Sequence, residues 1–530
     1  MKKRAVALCS LAALTGAAVP AAGLAPAVSP VPAPRTAQTA PAAPLAWKQC
    51  ATKAHPALQC ASLKVPLDHR SPGGEQLTLA LSRVPHTAKT FQGPLLVNPG
   101  GPGGSGLTMA GTVAKALPKE VAAQYDVIGF DPRGVGKSEP ALNCRPGHSA
   151  PVRPASVPVT PALERANLDR ARAFARACAS KYAALLPFID TVSTARDLDA
   201  IRAALGAPRL SYLGYSYGTY LGAVYAKLHP HRVRRMALDS VVNPTGVWYA
   251  ANLRQNLAFD ARHQTLLAWI ARHDSAYGLG RDPAKVEAQW YAMRRALAER
   301  PAGGKVGAAE LEDTFIPGGY TNRYWPHLAK AFAAYVNDKD TGPLLKAYET
   351  FGASGPAGEN SYSVYTAVQC RDAQWPRDWR TWREDSERVH AKAPFSTWNN
   401  TWYNAPCAFW PTRHLSPPDV STSALGPVLL FQATDDPATP YEGAVALHRK
   451  LGDSRLVVER GGGNHGVTLR GNACLDRHLA AYLATGEVPG GGGGEVDAEC
   501  AALPDPQPSR ARQGTPGRGA LSVPWSTMGT

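Results

Sequence analysis

Gly214-Tyr215-Ser216-Tyr217-Gly218 spells G-x-S-x-G between the strand-like "LSYL" and the helix-patterned "TYLGAVYAKL". Glycines on both sides let a strand and a helix approach closely enough to hold a serine on a tight turn, its hydroxyl presented at a sheet edge beside a helix N-terminus. A serine is a weak nucleophile without a base, and the base needs a carboxylate to orient it. Far downstream, "LLFQATDDPATP" places Asp435 and Asp436 in the loop that leaves an apolar run, and "VVERGGGNHG" ends the next such run with His465. His465 follows Asp436 by 29 residues, room for one helix and one strand. Singly, an Asp before Pro is a turn or cap residue and a His among glycines is a loop residue. Jointly, each at a strand end and in the order Ser, Asp, His, they point to nucleophilic acyl transfer.

A second glycine cluster competes for attention. In "PLLVNPGGPGGSGL", Gly101, Gly103 and Gly106 spell G-x-G-x-x-G, the pattern that lets a backbone approach a dinucleotide pyrophosphate. Asp131 follows Gly106 by 25 residues, where a ribose-binding acid would stand. Three points turn this reading down. Pro99 and Pro102 stiffen the turn, the chain carries an export signal, and Ser216 and His465 would have no role. The loop serves better as part of an oxyanion hole, with N–H groups from Gly101 and from Tyr217, the residue after the nucleophile. Pro102 has no N–H to give. "DPRGVGKS" misses a phosphate-binding P-loop, because Asp131 stands where the first glycine belongs. No metal and no organic cofactor is expected.

The elements that must position these residues follow from patterning. "GPLLVNPG", "YDVIGFDPRG", "RLSYLGYS" and "VRRMALDSVV" read as short buried strands, separated by helical segments such as "STARDLDAIRAALG". That alternation predicts an α/β fold with a mostly parallel, doubly wound sheet. Near residue 247 the pattern becomes amphipathic helix rich in Trp and Tyr, and strands return after residue 415. The expected organisation is a core over 40–246 and 416–500, a large helical cap inserted over 247–415, and a Pro/Gly/Arg-rich disordered tail over 501–530.

"MKKRAVALCSLAALTGAAVPAAG" has the basic start, short apolar run and small residues of a secretory signal, and the Pro/Ala-rich stretch after it reads as a linker or propeptide, together 1–39. Cys9 leaves with the signal. Eight cysteines remain: Cys50, Cys60, Cys144, Cys178, Cys370, Cys407, Cys474 and Cys500. In an exported chain they imply disulfides, and neighbour pairing is expected because short loops close at the lowest entropic cost. No C-x-x-C and no His/Cys cluster has zinc spacing. The chain has 530 residues and a formal net charge of +16, but Lys and Arg are scattered rather than gathered into a stripe. A solvated basic surface is expected, without nucleic-acid binding or stable membrane association.

"NPGGPGGSG", "TARDLDAIRAALG", "YLGYSYGTYLGAVYA", "VYTAVQCRDAQWP", "DPATPYEGAVALH" and "NHGVT" together resemble the secreted tripeptidyl aminopeptidases of streptomycetes and related actinobacteria. The likeness runs from about Trp47 to Cys500. It implies an α/β-hydrolase fold and a secreted serine exopeptidase that releases tripeptides or other short peptides from free N-termini; a monomer acting on peptides is expected. Carried over by position, the nucleophile is Ser216, the base His465, and the acid Asp436 rather than Asp435. It also implies that acidic groups of the cap hold the substrate's α-amine, and Glu359 and Asp372 are the candidates; Gln369, just before Cys370, is neutral. The alternatives are an esterase on the same fold and, outside that class, a dinucleotide-binding oxidoreductase or a non-catalytic binding protein.

Overall fold

The computed structural model describes residues 45–490 and 494–508. The signal-like segment and linker, and most of the predicted tail, lie outside the described residues. Ten strands form one sheet: β1 Lys48–Gln49, β2 Gln59–Pro66, β3 Gln76–Val84, β4 Pro94–Asn98, β5 Asp126–Phe130, β6 Leu210–Tyr215, β7 Val233–Asp239, β8 Val428–Ala433, β9 Ser454–Arg460 and β10 Ala498–Ala501. Their order is β1-β2-β3-β5-β4-β6-β7-β8-β9-β10. The pairs β1–β2, β2–β3 and β3–β5 are antiparallel, and the rest of the sheet is parallel.

The central parallel strands β4, β6 and β8 are buried throughout because helices cover both faces. Leu96, Tyr212, Leu238, Leu430 and Val458 point into one core, and Val97, Leu213, Ala237, Leu429 and Val457 into the other. That period of two is the strand signature, and full burial of each leucine or valine stabilises the fold by about 1.5–3 kcal/mol.

The polypeptide leaves the sheet after β7 and returns at β8, and the segment between is helical. The helices Tyr249–Arg272, Pro283–Glu299, Ala308–Phe315 and Trp325–Ala333 enclose their own core around Trp269, Trp290, Phe315, Trp325 and Phe332. The helix Pro356–Asp372 behaves differently: Tyr362, Val364 and Val368 join the core of the sheet, as do Trp375 and Trp382 beyond it. The helical insertion and the sheet therefore share side-chain packing, and the described residues fall in one compact unit.

All eight described cysteines pair with their chain neighbours, Cys50–Cys60, Cys144–Cys178, Cys370–Cys407 and Cys474–Cys500, as loop closure predicts. The start of the supposed tail departs from expectation. β10 extends the sheet to Ala501, and the chain then crosses onto the cap as a strap: Trp269 Nε1 donates to Pro506 O at 3.1 Å, and Asp505 accepts from Arg272 at 3.2 Å and from Asn322 at 3.3 Å. Proline-rich composition suggested a segment with nothing to pack. The carbonyl of Pro506 and the carboxylate of Asp505 instead meet donors on the cap.

Candidate active site

Parallel pairing brings the strand ends together before any side chain is considered. Asn98 of β4 stands beside Gly214 of β6, Tyr215 of β6 beside Asp239 of β7, Asp239 beside Phe431 of β8, and Ala433 of β8 beside Glu459 of β9. The loops that follow β4, β6, β8 and β9 thus open side by side at the C-terminal edge of the sheet. This is where open α/β sheets hold their ligands.

Ser216 occupies the turn between β6 and the helix Tyr217–Leu228 with φ 56° and ψ −127°, a strained conformation for a non-glycine residue. The flanking glycines are required by space. A Cβ on Gly214 would lie 2.5 Å from Gly218 O, and one on Gly218 would lie 2.8 Å from Asn98 Oδ1. Both G positions of the motif are therefore explained by close approach, as the sequence suggested. Ser216 is half-buried and lines a cavity beneath the cap.

Asp436 and His465 are in direct contact. His465 Nδ1 lies 2.8 Å from Asp436 Oδ2 and 3.0 Å from Oδ1, and both residues are buried. Asp436 also accepts from Ala438 N at 2.9 Å, Thr439 N at 3.1 Å and Thr439 Oγ1 at 2.9 Å, so its carboxylate is fixed by donors on every side. Asp435, its neighbour, is exposed. The His465 N–H donates to Tyr320 O of the cap at 2.9 Å. The loop beyond His465 is held from below by a residue that the sequence did not mark. Asp239, fully buried at the end of β7, accepts from Val467 N at 3.0 Å, Thr468 N at 2.7 Å and Thr468 Oγ1 at 2.6 Å. Its only sequence signal was an acid at the end of an apolar strand.

The glycine loop after β4 lies against the serine turn. Asn98 Oδ1 accepts from Gly100 N at 2.9 Å. Gly100 has φ +96°, and a Cβ there would lie 2.5 Å from Tyr215 O and 2.8 Å from Ser216 Cβ. Gly103 is pressed against the cap, where a Cβ would lie 2.4 Å from Ser361 O, and Ser361 Oγ donates to Gly103 O at 2.7 Å. Gly101 and Tyr217 both line the cavity beside Ser216. The two look-alike motifs have structural employment. Asp131 accepts from Ser105 Oγ, Gly106 N and Lys137 N, tying the glycine loop to the "DPRGVGKS" turn, and Arg133 forms a buried fork with Asp197 at 2.6–2.7 Å. Gly100→Ala is expected to lower kcat at least tenfold and to destabilise by about 1–3 kcal/mol, since neither carbonyl nor serine can give way. Steady-state rates with a thermal melt check both.

The cavity, about 240 Å³, is roofed by the insertion and lined largely by amides and aromatics, among them Asn252, Asn256, Asn400, Gln369, Tyr320 and Tyr365. Neither acid expected to hold an amine lines it. On the helix Pro356–Asp372 it is Tyr362, Tyr365 and Gln369, spaced by three and four, that face the cavity. Asp372, the next position on that stripe, runs on into the core: Oδ1 accepts from Thr191 N at 2.8 Å, and Oδ2 from Thr191 Oγ1 at 2.6 Å and Trp248 Nε1 at 3.3 Å. Burial, with the charge of Asp190, pushes its carboxyl up to about 7. Glu359 lies in the first turn of the helix, away from the cavity lining. Asp313 and Glu442 are the carboxylates that do line it, and Glu442 is exposed. Asp313, on the helix Ala308–Phe315, pairs with Arg153 and accepts from Asn399 Nδ2 at 2.9 Å, leaving its side chain 25% exposed. "ELEDTF" carries three acids in four residues, the one signal that could have drawn attention to it.

The family model described as alpha/beta hydrolase fold matches residues 93–467. The chain is 44% identical over 475 residues to a tripeptidyl aminopeptidase of Streptomyces lividans, covering 87% of each protein. It is 34% identical over 476 residues to the serine protease Hip1 of Mycobacterium tuberculosis, covering 85% of this chain and 90% of that one. A carboxylesterase B of the same species is 33% identical over 447 residues, covering 81% and 85%.

Proposed function

The chain belongs to the α/β-hydrolase fold family, and on that premise we propose that it is a serine exopeptidase that releases tripeptides from the free N-termini of peptides and proteins. The observation that carries the reading is the buried Asp436–His465 pair, whose partner Thr439 lines the same capped cavity as the strained Ser216 turn. His465 Nε2 takes the Ser216 proton as the hydroxyl attacks the scissile carbonyl, while Asp436 holds Nδ1–H and stabilises the imidazolium. The N–H groups of Tyr217 and Gly101 receive the oxyanion. His465 then returns its proton to the leaving amine, and water releases the peptide from Ser216. The four disulfides and the similarity to a streptomycete aminopeptidase support an enzyme that works outside the cell.

An exopeptidase must count from an amine, so an anion has to stand at a fixed distance from the nucleophile. Asp313 takes that part here in place of Glu359 and Asp372. Arg153 and Asn399 fix its carboxylate, and the cavity gives an ammonium access to it. Charge-assisted hydrogen bonds contribute about 1.5–3 kcal/mol, a factor of ten to more than a hundred. Acetylating the N-terminus of a tripeptidyl substrate is therefore expected to lower kcat/KM at least about tenfold, and Asp313→Asn to remove most of that discrimination. The similarity to a carboxylesterase favours a second reading, an esterase. Equal rates on blocked and free peptides, with faster turnover of short acyl esters, would establish it instead.

A further inference from the structure

Arg262 is a buried cation that the reaction does not use. It sits on the cap helix Tyr249–Arg272, 7% exposed, and its guanidinium lies over the Trp325 ring at 4.6 Å. Its other side meets the backbone of the catalytic loop. A Cβ built on Gly463 would lie 2.5 Å from the guanidinium carbon, so the planar group occupies the space that a side chain at Gly463 would fill. Its Nε is buried and, among the described residues, has no hydrogen-bond partner. The charges around it are carboxylates, first Asp505 of the C-terminal strap, then Asp435, Asp436 and Glu459.

Gly463 precedes His465 by two residues, and the cap grips the residues between as well. Asn322 N donates to Asn464 Oδ1 at 2.9 Å, and His465 N to Tyr320 O at 2.9 Å. The histidine loop is thus seated on the cap by consecutive residues, with Arg262 at the first of them. A flat cation suits that place. Its guanidinium carbon lies over the indole ring, the group fills the space beside Gly463, and the carboxylates of Asp505, Asp435, Asp436 and Glu459 favour its charge. An ammonium on a flexible stem has no flat face, and a glycine is the one residue that leaves room.

We propose that Arg262 is a positioning residue that sets the His465 loop against the Ser216 turn from the cap side; this rests on the Ser216–Asp436–His465 reading. It touches no reacting atom. Its effect falls on the rate of serine attack rather than on substrate affinity.

The test uses the full-length mature protein with Arg262→Met, Arg262→Lys and Gly463→Ala, each alone, and Arg262→Met combined with Gly463→Ala. Two quantities are read: the second-order rate of labelling by a fluorophosphonate, which needs the activated serine but no peptide recognition, and kcat and KM per titrated site on a tripeptidyl substrate. Arg262→Met is expected to slow labelling and lower kcat at least tenfold with KM within twofold, and Arg262→Lys to do no better. Gly463→Ala should match that loss with Arg262 present and add little once it is gone. A contact that merely held the fold would lower the melting temperature and the titrated fraction, leaving the rate per titrated site unchanged. Labelling of Arg262→Met at the wild-type rate, or losses that multiply in the double variant, overturns the proposal. Should Arg262→Met fail to fold, Gly463→Ala decides by the same rates, since it keeps the cation. Ser216→Ala serves as control: if it still labels, the nucleophile reading has failed, which is a separate outcome from wild-type labelling in Arg262→Met.

Discussion

Ser216→Ala is expected to reduce turnover by about six orders of magnitude, the loss seen when a triad serine is deleted. The hydroxyl is the only atom removed. The turn keeps φ 56°, a strain that alanine bears no worse than serine, and the glycines that make room for it at 214 and 218 are untouched. Stability should therefore stay within about 0.5 kcal/mol of the wild type, as for a substitution that breaks no buried contact. Rates on a tripeptidyl substrate beside a thermal melt separate the two effects. A variant that folds and retains more than a thousandth of the wild-type rate would refute the nucleophile.

Asp436→Asn is expected to lower turnover about ten-thousandfold. Every group that faces the Asp436 carboxylate is a donor: two backbone N–H groups, the Thr439 hydroxyl and His465 Nδ1. An amide can accept on one side only, and its NH2 must then oppose either Thr439 or the imidazole. The histidine is left to adopt the wrong tautomer for taking the serine proton. Asp435→Asn lies one residue away but is exposed, and should stay within about threefold of the wild-type rate. Equal losses for the two variants would leave the acid unassigned, and the reverse order would reject Asp436.

The turn at Ser216 and the cysteine pairing could be read from the chain because their constraints are local. G-x-S-x-G needs two glycines for reasons that act within five residues, and the Gly214 and Gly218 clearances express that need. Neighbouring cysteines pair because short loops close readily, so Cys370 finds Cys407 without knowledge of the fold. That Glu359 and Asp372 do not line the cavity has the opposite reason. Which face of the helix Pro356–Asp372 looks into the cavity depends on how the insertion docks, and a helical stripe that starts at Tyr362 reaches Gln369 before it buries Asp372. The parts proposed for Asp313 and Arg262 rest on residues brought from distant parts of the chain, Arg153 in one case and Gly463 in the other. The strap was missed because composition reports what a segment can bury and not what its carbonyls can accept.

The pairing of β7 with β8 across the whole insertion fixes when the molecule can become a hydrolase. A ribosome delivers Ser216 and its turn first, then the cap, and only afterwards Asp436 and His465. Until β8 and β9 have joined the sheet, a growing chain holds a nucleophile with no base to activate it. On the proposed triad, catalytic competence therefore comes late in synthesis, after the whole insertion has been made. For a hydrolase, the order of segments then acts as a delay built into synthesis.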